Sequence, residues 1–124
     1  MKLKQIAGEY TVCRLSGLSE LTKEIQSSPF WFFGKTDKEF SLVCETSLAP
    51  EHPVEREDGF KVFRIEGVLD FSLIGILSKL STVLADQGIG IFAVSTFQTD
   101  YILVKKESYH KAMKALQKAG YTII

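Results

Sequence analysis

One eight-residue pattern occurs twice in this chain, at an offset of fifty residues. Tyr10-Thr11-Val12-Cys13-Arg14-Leu15-Ser16-Gly17 and Phe60-Lys61-Val62-Phe63-Arg64-Ile65-Glu66-Gly67 both read aromatic-x-Val-x-Arg-aliphatic-x-Gly. Recurrence at a fixed offset marks a duplicated supersecondary unit. A second pair of segments agrees: Glu39-Phe40-Ser41-Leu42-Val43 aligns with Asp100-Tyr101-Ile102-Leu103-Val104, an acid, an aromatic, any residue, then Leu-Val. Two related units are therefore expected, residues 1–59 and 60–124, the first having lost its second helix and last strand to a connector.

The local signals fill in both copies. Tyr10–Leu15 is β-branched and aromatic enough for a strand, ended by Gly17. Ser19 offers an N-cap to a short helix with Leu18, Leu21, Thr22 and Ile25 on one face, stopped at Ser27-Ser28-Pro29. Phe30–Gly34 and Phe40–Glu45 read as a hairpin across a polar turn. Residues 46–59, with Pro50 and Pro53 and a run of acids, read as a surface connector. The second copy opens with the strand Phe60–Glu66. A long amphipathic helix follows, with Leu73, Ile76, Leu77, Leu80, Val83 and Leu84 on one stripe, Ser72 as cap and Gly88 as stop. Ile91–Thr96 and Tyr101–Lys105 form a second hairpin. Ser108 caps a helix bearing Tyr109, Ala112, Met113, Leu116 and Ala119, and Tyr121–Ile124 is a final strand. The order β-α-β-β-α-β predicts an α+β, ferredoxin-like unit: an antiparallel sheet with two helices on one face.

Charge and composition exclude several functions. Fifteen Lys and Arg balance fifteen Asp and Glu, so no global field favours nucleic acid. No stretch approaches eighteen apolar residues and no apolar segment follows the charged N-terminus, so neither membrane insertion nor export is expected and the reading is cytoplasmic. Cys13 and Cys44 sit in apolar runs and read as buried free thiols; without a nearby histidine they cannot form a zinc site. His52 in the connector and His110 on the last helix have no acidic partner at ligand spacing, so no metal is expected. No cofactor motif occurs: a phosphate loop and a dinucleotide fingerprint are both missing. Nor does a nucleophile elbow surround Ser72 to make a triad with Asp70 and His110. An RNA-recognition module shares the element order, but its stacking aromatics lie in basic, glycine-containing strands, unlike Ile91-Phe92-Ala93-Val94 or Tyr101-Ile102-Leu103-Val104.

Two segments carry binding chemistry. The strand-to-helix turn Gly67–Gly75 ends on a helix start, whose unpaired N–H groups and positive dipole end suit a carboxylate. Asp70 either receives a ligand's ammonium or caps its own helix. Ser95-Thr96-Phe97-Gln98-Thr99-Asp100 sets hydroxyls and an amide at a hairpin end, either as an ordinary turn or as the rim of a polar site. The run Phe30-Trp31-Phe32-Phe33 cannot face one side of a strand, so one face is expected on the helices. The other is expected on a lobe seam, a ligand pocket or a subunit interface.

The second half resembles an ACT domain, carried by Leu69-Asp70-Phe71-Ser72-Leu73-Ile74-Gly75-Ile76-Leu77, Gly88-Ile89 and the strand leading to Ser95-Thr96. With Tyr10–Leu15, Glu39–Cys44 and Ser95–Tyr101, nearly the whole chain is similar to short bacterial tandem ACT proteins related to cytosolic arginine sensors and to aspartate kinase regulatory regions. That resemblance implies a regulatory protein that binds an amino acid at the contact between ACT units and has no catalytic residues. The implied ligand-binding residues are Asp70, Phe71, Ser72, Leu73, Ile74, Gly75, Ser95, Thr96, Phe97, Gln98 and Thr99. A homodimer and a separate regulated protein are the implied partners. A typical ACT turn reads Asp-x-Pro-Gly, whereas here it is longer and lacks proline, which leaves the identity of the amino acid open. The alternative function is a small interaction module working through edge strands or the Phe30 run.

Overall fold

The computed structural model of the chain describes residues 1–67 and 74–124. Its elements are β1 (Lys2–Leu15), α1 (Lys23–Ser27), β2 (Phe32–Lys35), β3 (Phe40–Glu45), β4 (Glu55–Ile65), α2 (Ile76–Asp86), β5 (Phe92–Ser95), β6 (Asp100–Lys105), α3 (Lys106–Lys118) and β7 (Thr122–Ile123). The fold is mixed α and β, with antiparallel pairing between β1 and β3, β2 and β3, and β5 and β6. Two compact units form, residues 8–60 and residues 1–7 with 61–124.

In the first of these units β3 lies between β1 and β2, and hydrophobic residues alternate toward one face. Cys13 and Leu15 from β1 and Leu42 and Cys44 from β3 bury against Ile25 of α1, with Trp31, Phe33 and Phe40 packed around them. The aromatic run divides as its spacing requires: Trp31 and Phe33 join this core, while the Phe30 ring meets Tyr10 edge-on at 5.6 Å. Both cysteines are buried free thiols. The expected helix after Gly17 is shorter than its apolar spacing suggests. A 3-10 turn occupies Leu18–Glu20, and the five-residue α1 is capped by Thr22, whose Oγ1 accepts from the Ile25 N–H at 3.2 Å, in place of Ser19. The connector is also partly regular. Thr46–Leu48 form a 3-10 turn and β4 begins at Glu55, held by the Val54 N–H to Arg14 carbonyl bond at 2.9 Å. Its first residues are exposed and charged, so they carry no hydrophobic alternation from which a strand could be read.

In the second unit Phe63 and Ile65 of β4 and Ile102 and Val104 of β6 face Leu80 and Leu84 of α2 and Ala112, Met113 and Leu116 of α3. The start of β1 belongs here as well. Leu3 is fully buried in this core, Lys2 and Leu3 pair in parallel with Thr122 and Ile123 of β7, and Lys2 accepts from the Glu66 N–H at 2.9 Å. The strand expected at Tyr10 thus begins eight residues earlier. Helix starts differ too. Gly75, left-handed at φ 80°, takes the cap position of α2 that was expected of Ser72, and α3 begins at Lys106 without a side-chain cap, ahead of Ser108. Gly120 follows α3 with φ 105°, as a helix stop should.

The core also corrects the second repeat alignment. Leu42 and Cys44 occupy the place of Ile102 and Val104, an offset of sixty residues, where the acid-aromatic match suggested sixty-one. A slip of one residue moves every side chain of a strand to its other face, so burial decides the register.

Candidate functional site

The site is built where β4 ends and the β5–β6 hairpin turns. Arg64 points away from the core that Phe63 and Ile65 enter, because strand side chains alternate. The chain then bends at Gly67, whose φ of 105° few residues other than glycine adopt. The hairpin closes through a four-residue turn: the Thr96 N–H and hydroxyl both donate to the Thr99 carbonyl at 2.9 Å, and Thr96 Oγ1 accepts from the Thr99 N–H at 3.3 Å. The Thr99 side chain, only 7% exposed, donates to the Ile65 carbonyl at 2.7 Å and ties the turn to the end of β4.

Between them lies a groove of about 230 Å³ lined by Arg64, Glu66, Gly67, Thr96, Gln98, Thr99 and Tyr101. A cation and an anion sit side by side in its wall: Arg64 Nε donates to Glu66 Oε2 at 3.2 Å, and Arg64 Nη1 donates to the Tyr101 hydroxyl at 3.3 Å. The Arg64 guanidinium also lies 6.0 Å from the Tyr101 ring centre. The Tyr101 bond first, and Glu66 second, raise the Arg64 pKa above its ordinary value and hold the positive charge in place. A carboxylate and an ammonium on one small molecule can each find a partner of opposite sign here, with hydroxyls and an amide beside them.

The residues expected to bind ligand divide between places. Asp70, Phe71, Ser72 and Leu73 lie outside the described residues. Thr96, Gln98 and Thr99 line the groove. Ser95 donates to Asp100 Oδ1 at 2.6 Å, and Phe97 is 81% exposed at the turn tip. Ile74 is 93% exposed and lines a separate cavity of about 300 Å³ with Met1, Ile76, Lys79, Ala119, Gly120 and Tyr121; Gly75 caps α2. Sequence reasoning missed Arg64, Glu66 and Tyr101 as lining residues. The repeat contained a signal for the first, since it retains arginine at positions 14 and 64.

The unit of residues 8–60 has a groove at the repeat-equivalent place, about 350 Å³, with Arg14, Ser16, Lys35, Thr36, Lys38 and Glu39 in its lining. Its turn repeats the same bonding: the Thr36 N–H donates to the Glu39 carbonyl at 3.0 Å, and Thr36 Oγ1 accepts from the Lys38 and Glu39 N–H groups at 3.1 Å. The carboxylate of Glu66 has no counterpart at the equivalent position, however. Ser16 stands where Glu66 does, and Arg14 reaches instead to Glu55 at 3.3 Å. Burial pushes the thiol pKa values of Cys13 and Cys44 up to about 11 and 12, so both stay protonated at neutral pH. His52 and His110 are exposed, and among the described residues no group of His, Cys, Asp and Glu is placed to hold a metal. No helix among them is long and apolar enough to cross a membrane.

Comparison with known proteins bears on this arrangement. The model of the ACT domain family matches residues 55–118. A protein of Agobacterium tumefaciens has 32% identity and a TM-score of 0.88, over 99% of this chain and 91% of its own. The regulatory subunit of aspartate kinase from Thermus thermophilus has 14% identity and a TM-score of 0.66, over 95% of this chain and 97% of its own. The aspartate kinase of Clostridium acetobutylicum has 17% identity and a TM-score of 0.67, over 94% of this chain but 33% of its own. The two aspartate kinase proteins share the fold with this chain. No curated protein matches it.

Proposed function

The chain belongs to the ACT domain family, and from that premise we propose that it is a regulatory protein that binds a free amino acid. The groove at the end of β4 and the β5–β6 turn takes part in the site. The reading rests above all on the Arg64–Glu66 pair, an adjacent cation and anion in a groove whose other walls offer hydroxyls and an amide. At about 230 Å³ the groove is below the roughly 300–1,000 Å³ typical of drug-sized ligands and suits a small metabolite. The ligand's carboxylate would lie toward Arg64 and its ammonium toward Glu66; Asp70 to Gly75, Ser95 and Phe97 remain proposed as further ligand-binding residues. The tandem of related units, a homodimer, a separate regulated protein and a cytoplasmic location complete the proposal; the output is regulation of that protein in place of catalysis.

The test is thermal unfolding against single amino acids and their amides. A ligand at a hundred times its dissociation constant adds about 2.7 kcal/mol, a rise in Tm on the order of 10 °C for this chain length. The expected result is a shift with one or a few amino acids that disappears in the amide and in Arg64→Ala. A flat panel, or a shift indifferent to both changes, would overturn it. A protein-interaction module is the second reading, favoured by the exposed Ile74 and Phe97; a stable monomer that captures no protein would count against it.

A further inference from the structure

The balanced charge of the whole chain is unevenly placed. Residues 1–7 and 61–124 carry ten Lys and Arg against five Asp and Glu, and five of those ten cations fall between Lys105 and Lys118, a stretch with one acid, Glu107. On α3 the inner face is apolar, with Ala112, Met113 and Leu116 in the core, and Lys111, Lys114 and Lys118 are exposed on the outer side. Together with Gln87, His110 and Ala115 they line a depression of about 330 Å³. That lining contains no carboxylate, and among the described residues none of the three lysines joins an ion pair.

Helix electrostatics accounts for two of the three. Lys118 lies in the last turn of α3, where the negative end of the dipole favours a cation. Lys111 follows Glu107 by four residues, and its Nζ donates to the carbonyl of Gln87 at the end of α2, at 3.1 Å. Lys114 has no such support. The residues three and four positions from it are His110, Lys111, Gln117 and Lys118, which include two like charges and no acid. A glutamate there would attract both lysines, so the helix by itself gains nothing from a cation at this position.

We propose that this depression binds a small ligand bearing a diphosphate group, with Lys114 at the centre of the site. Along the axis of α3 the three lysines are spaced by about 4.5 and 6 Å, so their ammonium groups converge on an anion that spreads its charge over several oxygens. Lysine serves phosphate as a point charge with three donors, whereas planar recognition of a carboxylate favours arginine, and no arginine lines the depression. Its volume lies at the small end of the roughly 300–1,000 Å³ of small-molecule sites. A bound diphosphate would turn the repulsion around Lys114 into shared attraction.

Isothermal titration calorimetry of the full chain with sodium diphosphate at low salt tests this. The expected result is binding at one site, with monophosphate about tenfold or more weaker, since it forgoes at least one charged hydrogen bond, and with no binding of a hexaglutamate peptide. Lys114→Gln should weaken diphosphate by about tenfold or more, and Lys23→Gln, an exposed lysine of the other unit, should leave it unchanged. Lys114→Glu should abolish binding and raise Tm, because two repulsions on the helix face become attractions; a lysine that merely solvates its helix would give the rise in Tm with no binding to lose. No binding of diphosphate, hexaglutamate bound as tightly as diphosphate, a Lys114→Gln variant that binds like wild type, or a Tm lowered by Lys114→Glu would each overturn the proposal. An equal loss of diphosphate binding in Arg64→Ala would place the anion in the groove beside β4 and overturn it as well. Amino-acid binding is read in a separate panel, so failure here leaves that reading untouched.

Discussion

Replacing Thr99 by valine would sever a side-chain bond that ties the β5–β6 turn to β4. The residue is 7% exposed and its hydroxyl donates to the Ile65 carbonyl at 2.7 Å. Valine has nearly the same shape, so little packing is lost; what goes is a buried donor, and a carbonyl loses its partner. A buried polar group left in this way costs about 1–2 kcal/mol. With an unfolding entropy near 2.1 cal/mol/K per residue over 124 residues, each kcal/mol lowers Tm by about 4 °C, so a fall of about 4–8 °C is expected. Differential scanning calorimetry of wild type, Thr99→Val and Thr99→Ser gives the comparison. Serine keeps the donor and loses only a methyl group, so it should fall less than valine. If Thr99→Ser melts below Thr99→Val, or valine matches wild type within 1 °C, methyl packing and not the hydrogen bond holds the turn, and the reasoning fails.

Two further predictions concern the cores. Leu3→Ala should cost about 2–5 kcal/mol in urea unfolding, because Leu3 is fully buried against residues sixty and more positions away; a loss below 1 kcal/mol would remove the start of β1 from that core. Stability should also fall at alkaline pH. Burial raises Cys13 and Cys44 from 9.0 to about 11 and about 12, and Tyr109 from 10.0 to about 12, so folding favours their protonated forms. That contribution is complete below pH 9 and is lost as pH rises toward 12. Cys44→Ala should flatten the decline in a pH series of denaturant midpoints, and an unchanged decline would assign it elsewhere.

What the sequence disclosed follows from where each signal originates. The hydrophobic stripes of α2 and α3 and the two hairpins are written in burial, and burial follows residue type closely: Leu80, Leu84, Ala112, Met113 and Leu116 all face the core that their spacing implies. The start of β4 was not legible, because Glu55, Arg56, Glu57 and Asp58 are held by strand pairing and ion pairs, which leave no periodic trace. Helix starts failed for a related reason. Ser19, Ser72 and Ser108 each have the chemistry of a cap, but a cap needs its backbone at the point where the helix begins, and that point lies a few residues away in every case.

The groove lies between these extremes. Thr96, Gln98 and Thr99 could be found because turn chemistry is local, whereas Arg64, Glu66 and Tyr101 meet them only once β4 and β6 are adjacent. The repeat itself carries part of the answer. An arginine kept at the same place in both units sits on the face turned away from each core, where packing does not require it. The units then diverge beside that arginine, Glu66 in one and Ser16 in the other, so the arginine takes its anion from two positions further along the chain in one unit and from Glu55 in the other. If zwitterion binding depends on the Arg64–Glu66 pair, changing Glu66 to serine should make the C-terminal groove behave like its counterpart, while the reverse change at Ser16 alone should not suffice, since Arg14 is already engaged by Glu55.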